Sequence, residues 1–249
     1  MKLRARWWSG IAALSLLAGG AWWWHDDRAT RFLPADATAF VEAFVATVPA
    51  PPARDSAETR AELDELLALQ GARDDTDVVA AQADRKTEIA RFYAALGFAA
   101  GPLELPHLQR LAQRVEDDVR IYVRALKDYY RRLRPYEIEP RLEPCIGDVK
   151  GDRSYPSGHA AYAWAMAGML SDLVPERRVA LEARALEFAR QRMVCGVHFA
   201  SDLAAGRQAA ERVMQSIRMT KEYASESADA AEELRAALGM APQRPASVR

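Results

Sequence analysis

The chain has 249 residues, of which 50% are hydrophobic and 28% charged, enough for one sizeable core and within the range of one or two domains. Its formal net charge is −1, so no overall basic field is available to recruit nucleic acid, and any anion site must be local.

The N-terminus reads MKLRARWWSGIAALSLLAGGAWWWHDD: basic residues, then Trp7–Trp24 without a charge, then acid. This is an export signal in the inner-positive orientation. Two outcomes stay open. Gly19-Gly20-Ala21 offers small residues for cleavage after Ala21, as in a signal peptide. The tryptophans at both ends of the apolar run also suit a retained single span, with membrane contact through residues 7–24. Either way the body is exported: periplasmic or secreted, or anchored to the inner membrane with its bulk outside the cytoplasm. Residues 1–28 are set apart on this ground from a folded body over 29–240 and a loose tail over 241–249.

A Pro/Ala-rich lead-in over 29–57 shows little regular pattern after Ala46. From Ser56 the chain turns helical. SAETRAELDELLALQ opens with a capping-box-like Ser/Glu spacing and gathers Leu63, Leu66, Leu67 and Leu69 around one side. Thr76–Leu96 predicts another pair of helical segments. The longest periodic run covers 108–134, where Leu108, Leu111, Ala112, Val115, Val119, Tyr122, Leu126, Tyr129 and Leu133 follow steps of three and four until Pro135 stops it. Gly147–Ser157 is a polar loop. Helices are predicted from Ala160, then over about Arg177–Met193, Ser201–Arg218 and Lys221–Leu238. No strand of convincing alternation and no internal repeat appears, so the expected fold is all-α, a single compact helical domain.

Three segments carry chemistry. In KDYYRRLRP, seven residues make nearly two helical turns, which would put Lys127 and Arg134 on one face. In SYPSGHAAYAW, a Pro-Ser-Gly corner opens an apolar helix, where free N–H groups attract anions. There Ser157 can donate its hydroxyl, Gly158 admits close backbone approach, and His159 can carry a transferable proton. In RMVCGVHFASD, a helix running through Asp202 would pair His198 with Asp202 at i,i+4, fixing one imidazole nitrogen and leaving the other as nucleophile or base. Taken singly, each has a plainer reading: a solvated charged face, an N-cap with an incidental histidine, a surface His–Asp pair. The chain has four histidines; His25 and His107 are given no role.

Together, Lys127-x6-Arg134-Pro135, Pro156-Ser157-Gly158-His159 and Arg192-x5-His198-x3-Asp202 resemble the three-part signature of the type 2 phosphatidic acid phosphatase (PAP2) and vanadium haloperoxidase superfamily. Within it the segments look most like the bacterial class A non-specific acid phosphatases. The resemblance is strong over roughly Leu126–Arg207 and weaker over Pro51–Asp84. Three unrelated spacings in a fixed order make it specific. One departure stands out: the family usually has Ser before the third-motif arginine, and this chain has Gln191, which should tune the site without abolishing it. Arg192 is identified by its distance to His198, with Arg190 as the alternative.

The resemblance implies a hydrolase for small phosphomonoesters of broad range. Lys127, Arg134, Arg192, Ser157 and Gly158 would bind phosphate, and His198, oriented by Asp202, would attack phosphorus to form a phosphohistidine. His159 would protonate the leaving alkoxide and then activate water. No metal-ligand constellation such as CxxC or HExxH is visible, so metal-independent turnover and no cofactor are expected, although vanadate or phosphate could occupy the same cradle. Two rivals use the same oxyanion site: a vanadium-dependent haloperoxidase and a lipid phosphate phosphatase. Integral relatives of the latter kind use several spanning helices, and this chain has at most one. A non-catalytic phosphate-binding module is a third, weaker alternative. Cys145 and Cys195 flank the site in an export compartment, where either a bridge or two buried thiols would fit. A homo-oligomer remains open.

Overall fold

The computed structural model describes residues 30–99, 103–147 and 153–242. The export segment over 1–28 and the tail from 243 onward lie outside these residues. Among the described residues the regular structure is entirely helical: α1 (Thr38–Thr47), α2 (Ala57–Ala72), α3 (Asp75–Ala83), α4 (Tyr93–Leu96), α5 (Pro106–Tyr130), α6 (Pro135–Ile138), α7 (Gly158–Leu173), α8 (Arg178–Val194), α9 (Ala200–Ile217) and α10 (Lys221–Ala237). None of them is long and apolar enough to cross a membrane.

α7 is the hub. Alanines, methionines and leucines cover almost its whole surface, so it cannot face water, and α5, α8, α9 and α10 pack around it. α5 is by contrast one-sided: Leu108, Leu111, Val115, Val119, Tyr122 and Leu126 are buried while the opposite face is charged. The main apolar cluster joins α1, α5, α7, α8, α9 and α10. α2 is held by a smaller cluster in which Leu63 and Leu66 meet Leu142, Met193 and Phe199.

One expected cap and one expected helix boundary are corrected. Ser56 does cap α2, its side chain accepting from the Thr59 N–H at 3.1 Å, but the third helical residue is Thr59 and no reciprocal box forms. More consequentially, α5 ends at Tyr130, well before Pro135. Arg131 takes a left-handed conformation, with φ of 49°, and its N–H bonds to the Lys127 carbonyl at 3.0 Å. Such a cap usually takes glycine. Here the turn it makes sends Arg132 and Arg134 into the interior instead of along the α5 axis. Arg134, extended as residues before proline prefer to be, then precedes α6.

Candidate active site

The connection between α8 and α9 carries the most constrained side chain in the site. Gly196, at φ of 65°, turns the chain back so that the Val197 N–H reaches the Arg192 carbonyl at 3.0 Å. Arg192, on the last turn of α8, is thereby brought beside His198. A disulfide between Cys145 and Cys195, with Cα atoms 4.8 Å apart, braces the same turn from outside.

His198 and Asp202 meet as expected, but not inside a helix. α9 begins at Ala200, Phe199 is its cap residue, and Asp202 is the third helical residue, whose Oδ2 accepts the Phe199 N–H at 3.0 Å. One carboxylate thus closes the helix start and also holds His198 Nδ1 at 3.1 Å. Ser154 donates its hydroxyl to the same Oδ2 at 2.5 Å, and Arg132 donates to Oδ1 at 2.8 Å. Asp202 is fully buried and every one of these contacts opposes its desolvation. With Nδ1 carrying the proton toward Asp202, Nε2 holds the lone pair, and Arg134 Nη1 stands 3.1 Å from it. Burial, then the charges of Arg134, Lys127 and Arg192, keep the His198 pKa well below the usual imidazole value. Burial and these charges favour the neutral ring.

The three cations converge on this ring, and Lys127 and Arg134 do so by way of the Arg131 turn, not a shared helical face. Arg134 is 5% exposed and Arg192 2%, whereas Arg190 is exposed, so of the two arginines of the third segment Arg192 is the buried one. Arg134 spends Nη1 on the Val197 carbonyl at 2.8 Å, but its Nε has no partner, and neither have Arg192 Nε and Nη1. Buried guanidinium donors without acceptors are costly, and a bound oxyanion is what would satisfy them. Lys127 Nζ donates to the Arg153 and Ser154 carbonyls at 2.5 and 3.3 Å. Its pKa is pushed down to about 7 by burial first and by the Arg134 charge second. Arg192 is lowered to about 9 by burial and then Arg134, and burial lowers Arg134 as well. Crowded cations that depress one another in this way are a receptor for negative charge.

Ser157 caps α7, its Oγ accepting from the Ala160 N–H at 3.3 Å, which leaves its hydroxyl proton to donate outward. Gly158 is the first residue of α7 and His159 the second. His159 Nε2 lies 2.9 Å from the Arg85 carbonyl, so a neutral ring carries its proton there, and the ring stacks on Phe188 with centroids 6.2 Å apart. Burial first and the Arg192 charge next push its pKa down to about 3; the Arg85 hydrogen bond works the other way. Both imidazoles respond to the same three cations, and His198 also responds to His159.

Several residues that complete the site were not anticipated. Arg132 bridges Asp202 to Glu62 on α2, donating to Glu62 Oε2 at 2.9 Å, while Glu62 Oε1 accepts the Ser201 N–H at 2.6 Å. Its guanidinium also lies over the Phe199 ring, 3.8 Å from the centroid. Ser154, in the loop before α7, is a second such residue through its bond to Asp202. Gly206 sits where α9 crosses the start of α7: a Cβ there would stand 2.5 Å from the Ser157 carbonyl oxygen and 3.0 Å from Ala160 Cβ. That close approach lets the Ser157 N–H reach the Asp202 carbonyl at 2.9 Å, tying the second segment to the third. A small residue one helical turn after a motif aspartate was the available sequence signal. Gln191 is buried with its Oε1 unpartnered.

The two imidazoles thus lie among three cations on an all-α scaffold. Residues 119–216, which contain all three segments, match the family model of the PAP2 superfamily. A non-specific acid phosphatase of Salmonella typhi is 35% identical over 127 residues, covering 48% of this chain and 50% of that protein. Another from Providencia stuartii is 29% identical over 136 residues, covering 53% and 55%. The chain thus spans about half the length of the curated relatives it matches. Among solved structures, a transmembrane PAP2-type phosphatidylglycerolphosphate phosphatase from Bacillus subtilis aligns over 73% of this chain and 92% of its own, at 17% identity and a TM-score of 0.49.

Proposed function

We propose that the protein is an exported acid phosphatase that hydrolyses phosphomonoesters through a phosphohistidine on His198, without a metal ion. The observation that supports this most is the unpartnered face of Arg192 and Arg134 beside a neutral His198 whose far nitrogen is fixed by Asp202. The similar proteins named as acid phosphatases point the same way.

In the first step the Nε2 lone pair attacks phosphorus and the bond to the ester oxygen breaks. Arg134, Arg192, Lys127, the Ser157 hydroxyl and the Gly158 N–H take the equatorial oxygens, where charge is spread. The leaving alkoxide receives a proton from His159. That proton requires a charged imidazole; burial and then the Arg192 charge hold the His159 pKa down, and a phosphate dianion bound among the three cations offsets the second of these and favours the charged form. The Arg85 carbonyl then holds Nε2–H, and Nδ1–H is the proton delivered. In the second step neutral His159 takes a proton from water, hydroxide attacks phosphorus, and the P–N bond breaks to release phosphate and restore the Nε2 lone pair. Side-chain cations supply the charge that a metal would otherwise bring.

Export agrees with the Cys145–Cys195 bridge, since such bonds persist in oxidising compartments. Hydrolysis of p-nitrophenyl phosphate with and without chelator tests the function. Turnover at mildly acid pH should be insensitive to chelator, and kcat/KM should fall as pH rises through about 7, where Lys127 loses its proton. Vanadate, a tetrahedral oxyanion of the same shape, should inhibit. Absence of phosphate release would overturn the reading.

A further inference from the structure

A cavity of about 360 Å³ runs along α5 and shares Lys127, Arg134 and Gly158 with the candidate site. These three residues line its inner end. Val123 stands next to that end, since a Cβ at position 158 would lie 3.8 Å from its Cγ1. From Val123 the α5 face continues through Val119 to Glu116, about 10 Å along the helix axis. Tyr162, one turn into α7, forms part of the wall. Its side chain is buried at 3% exposure, yet its hydroxyl has no partner. At the outer end Thr87 donates its hydroxyl to Glu116 Oε1 at 2.7 Å, and Glu116 is the strongest charge acting on Tyr162. Arg120, Arg124 and Arg153 also border it as exposed rim residues, Arg120 paired with Asp117 and Arg153 with Asp128. The cavity thus has Lys127 and Arg134 at one end, valines along α5, a hydroxyl–carboxyl pair at Glu116 and guanidinium groups at its mouth.

We propose that this cavity holds the alcohol part of the substrate, selecting monoesters of compact apolar alcohols that carry a hydrogen-bonding group at their far end. The inference rests on the phosphatase reading above, because the occupant is positioned by its phosphoryl group. Its size is at the small end for ligand sites, suited to one ring or one short chain and too small for two acyl chains. The Thr87–Glu116 pair at the far end gives discrimination, because a substrate hydroxyl can join that hydrogen bond where a hydrocarbon end cannot.

Three esters of primary alcohols test this with the full chain: glycerol 3-phosphate, 2-phenylethyl phosphate and 2-(4-hydroxyphenyl)ethyl phosphate. The kcat/KM for 2-phenylethyl phosphate should exceed that for glycerol 3-phosphate about tenfold or more, and the added phenol hydroxyl should give a further gain of about fivefold. Thr87→Val should return the phenol-to-phenyl ratio to about 1, and Val119→Ala should lower the phenyl-to-glycerol ratio. Ratios are read, so a general loss of activity in a poorly folded variant does not imitate the result, and the wild-type ratios stand without any variant. Wild-type ratios near 1, or ratios unmoved by both substitutions, would overturn the inference while leaving the phosphatase reading intact. No phosphate release from any of the three would overturn both.

Discussion

The two imidazoles sit at the starts of two helices, and they are held in opposite ways. His198, before α9, is gripped through a buried carboxylate that is itself fixed by Ser154, Arg132 and the Phe199 N–H. His159, in the first turn of α7, has one backbone carbonyl and one stacked ring. A nucleophile needs its lone pair in one direction throughout, which an ionic network enforces. An acid–base group must change charge twice per cycle, and a neutral carbonyl tolerates both forms where a carboxylate would favour the cation alone. The difference in support matches the difference between the roles proposed for the two rings.

The largest effect should come from removing the gripped ring. His198→Ala is expected to lower kcat on p-nitrophenyl phosphate by about 10⁴-fold or more, with melting temperature measured alongside. Removing the other ring should distinguish substrates. His159→Ala should cost about 10²-fold or more on glycerol 3-phosphate, whose alkoxide needs a proton, and markedly less on p-nitrophenyl phosphate, whose leaving group does not. An equal loss on both esters would break the assignment of His159 as the proton donor. The joint between the two helices is the next point of attack. Gly206→Ala places a methyl 2.5 Å from the Ser157 carbonyl, a backbone atom that cannot rotate away. It should cost about 1–3 kcal/mol in urea unfolding and lower activity with it, because α7 and Asp202 are forced apart. The smallest effect should be Ser154→Ala, which leaves Asp202 with its other donors. About a tenfold loss in kcat is expected, with rescue by Ser154→Thr.

The all-α class and most helix spans were legible because long apolar periodicity reports a buried face directly, as in α5 and α7. So were the charged members of the site, and for a reason that the geometry partly replaces. Lys127 and Arg134 converge through a left-handed residue at Arg131, not along a helix, and His198 precedes the helix that Asp202 opens. Spacing gave the right partners with the wrong local conformation. What stayed hidden depends on distant chain segments. Glu62 reaches Ser201 and Arg132 from another helix, and nothing in a charged stretch such as RAELDELL singles out one carboxylate. The Arg85 carbonyl that holds His159 is a main-chain atom and has no sequence signature. Ser154 and Gly206 matter through what they touch across the α7–α9 crossing, which only packing reveals.

The central claim is that His198 Nε2 takes the phosphoryl group. Rapid acid-free quenching of the enzyme during turnover of a labelled ester, followed by peptide mapping, tests it directly. A phosphoryl group that is stable to alkali, labile to acid and located on His198 is the expected result. Turnover with label on no histidine, or on His159 alone, would contradict it.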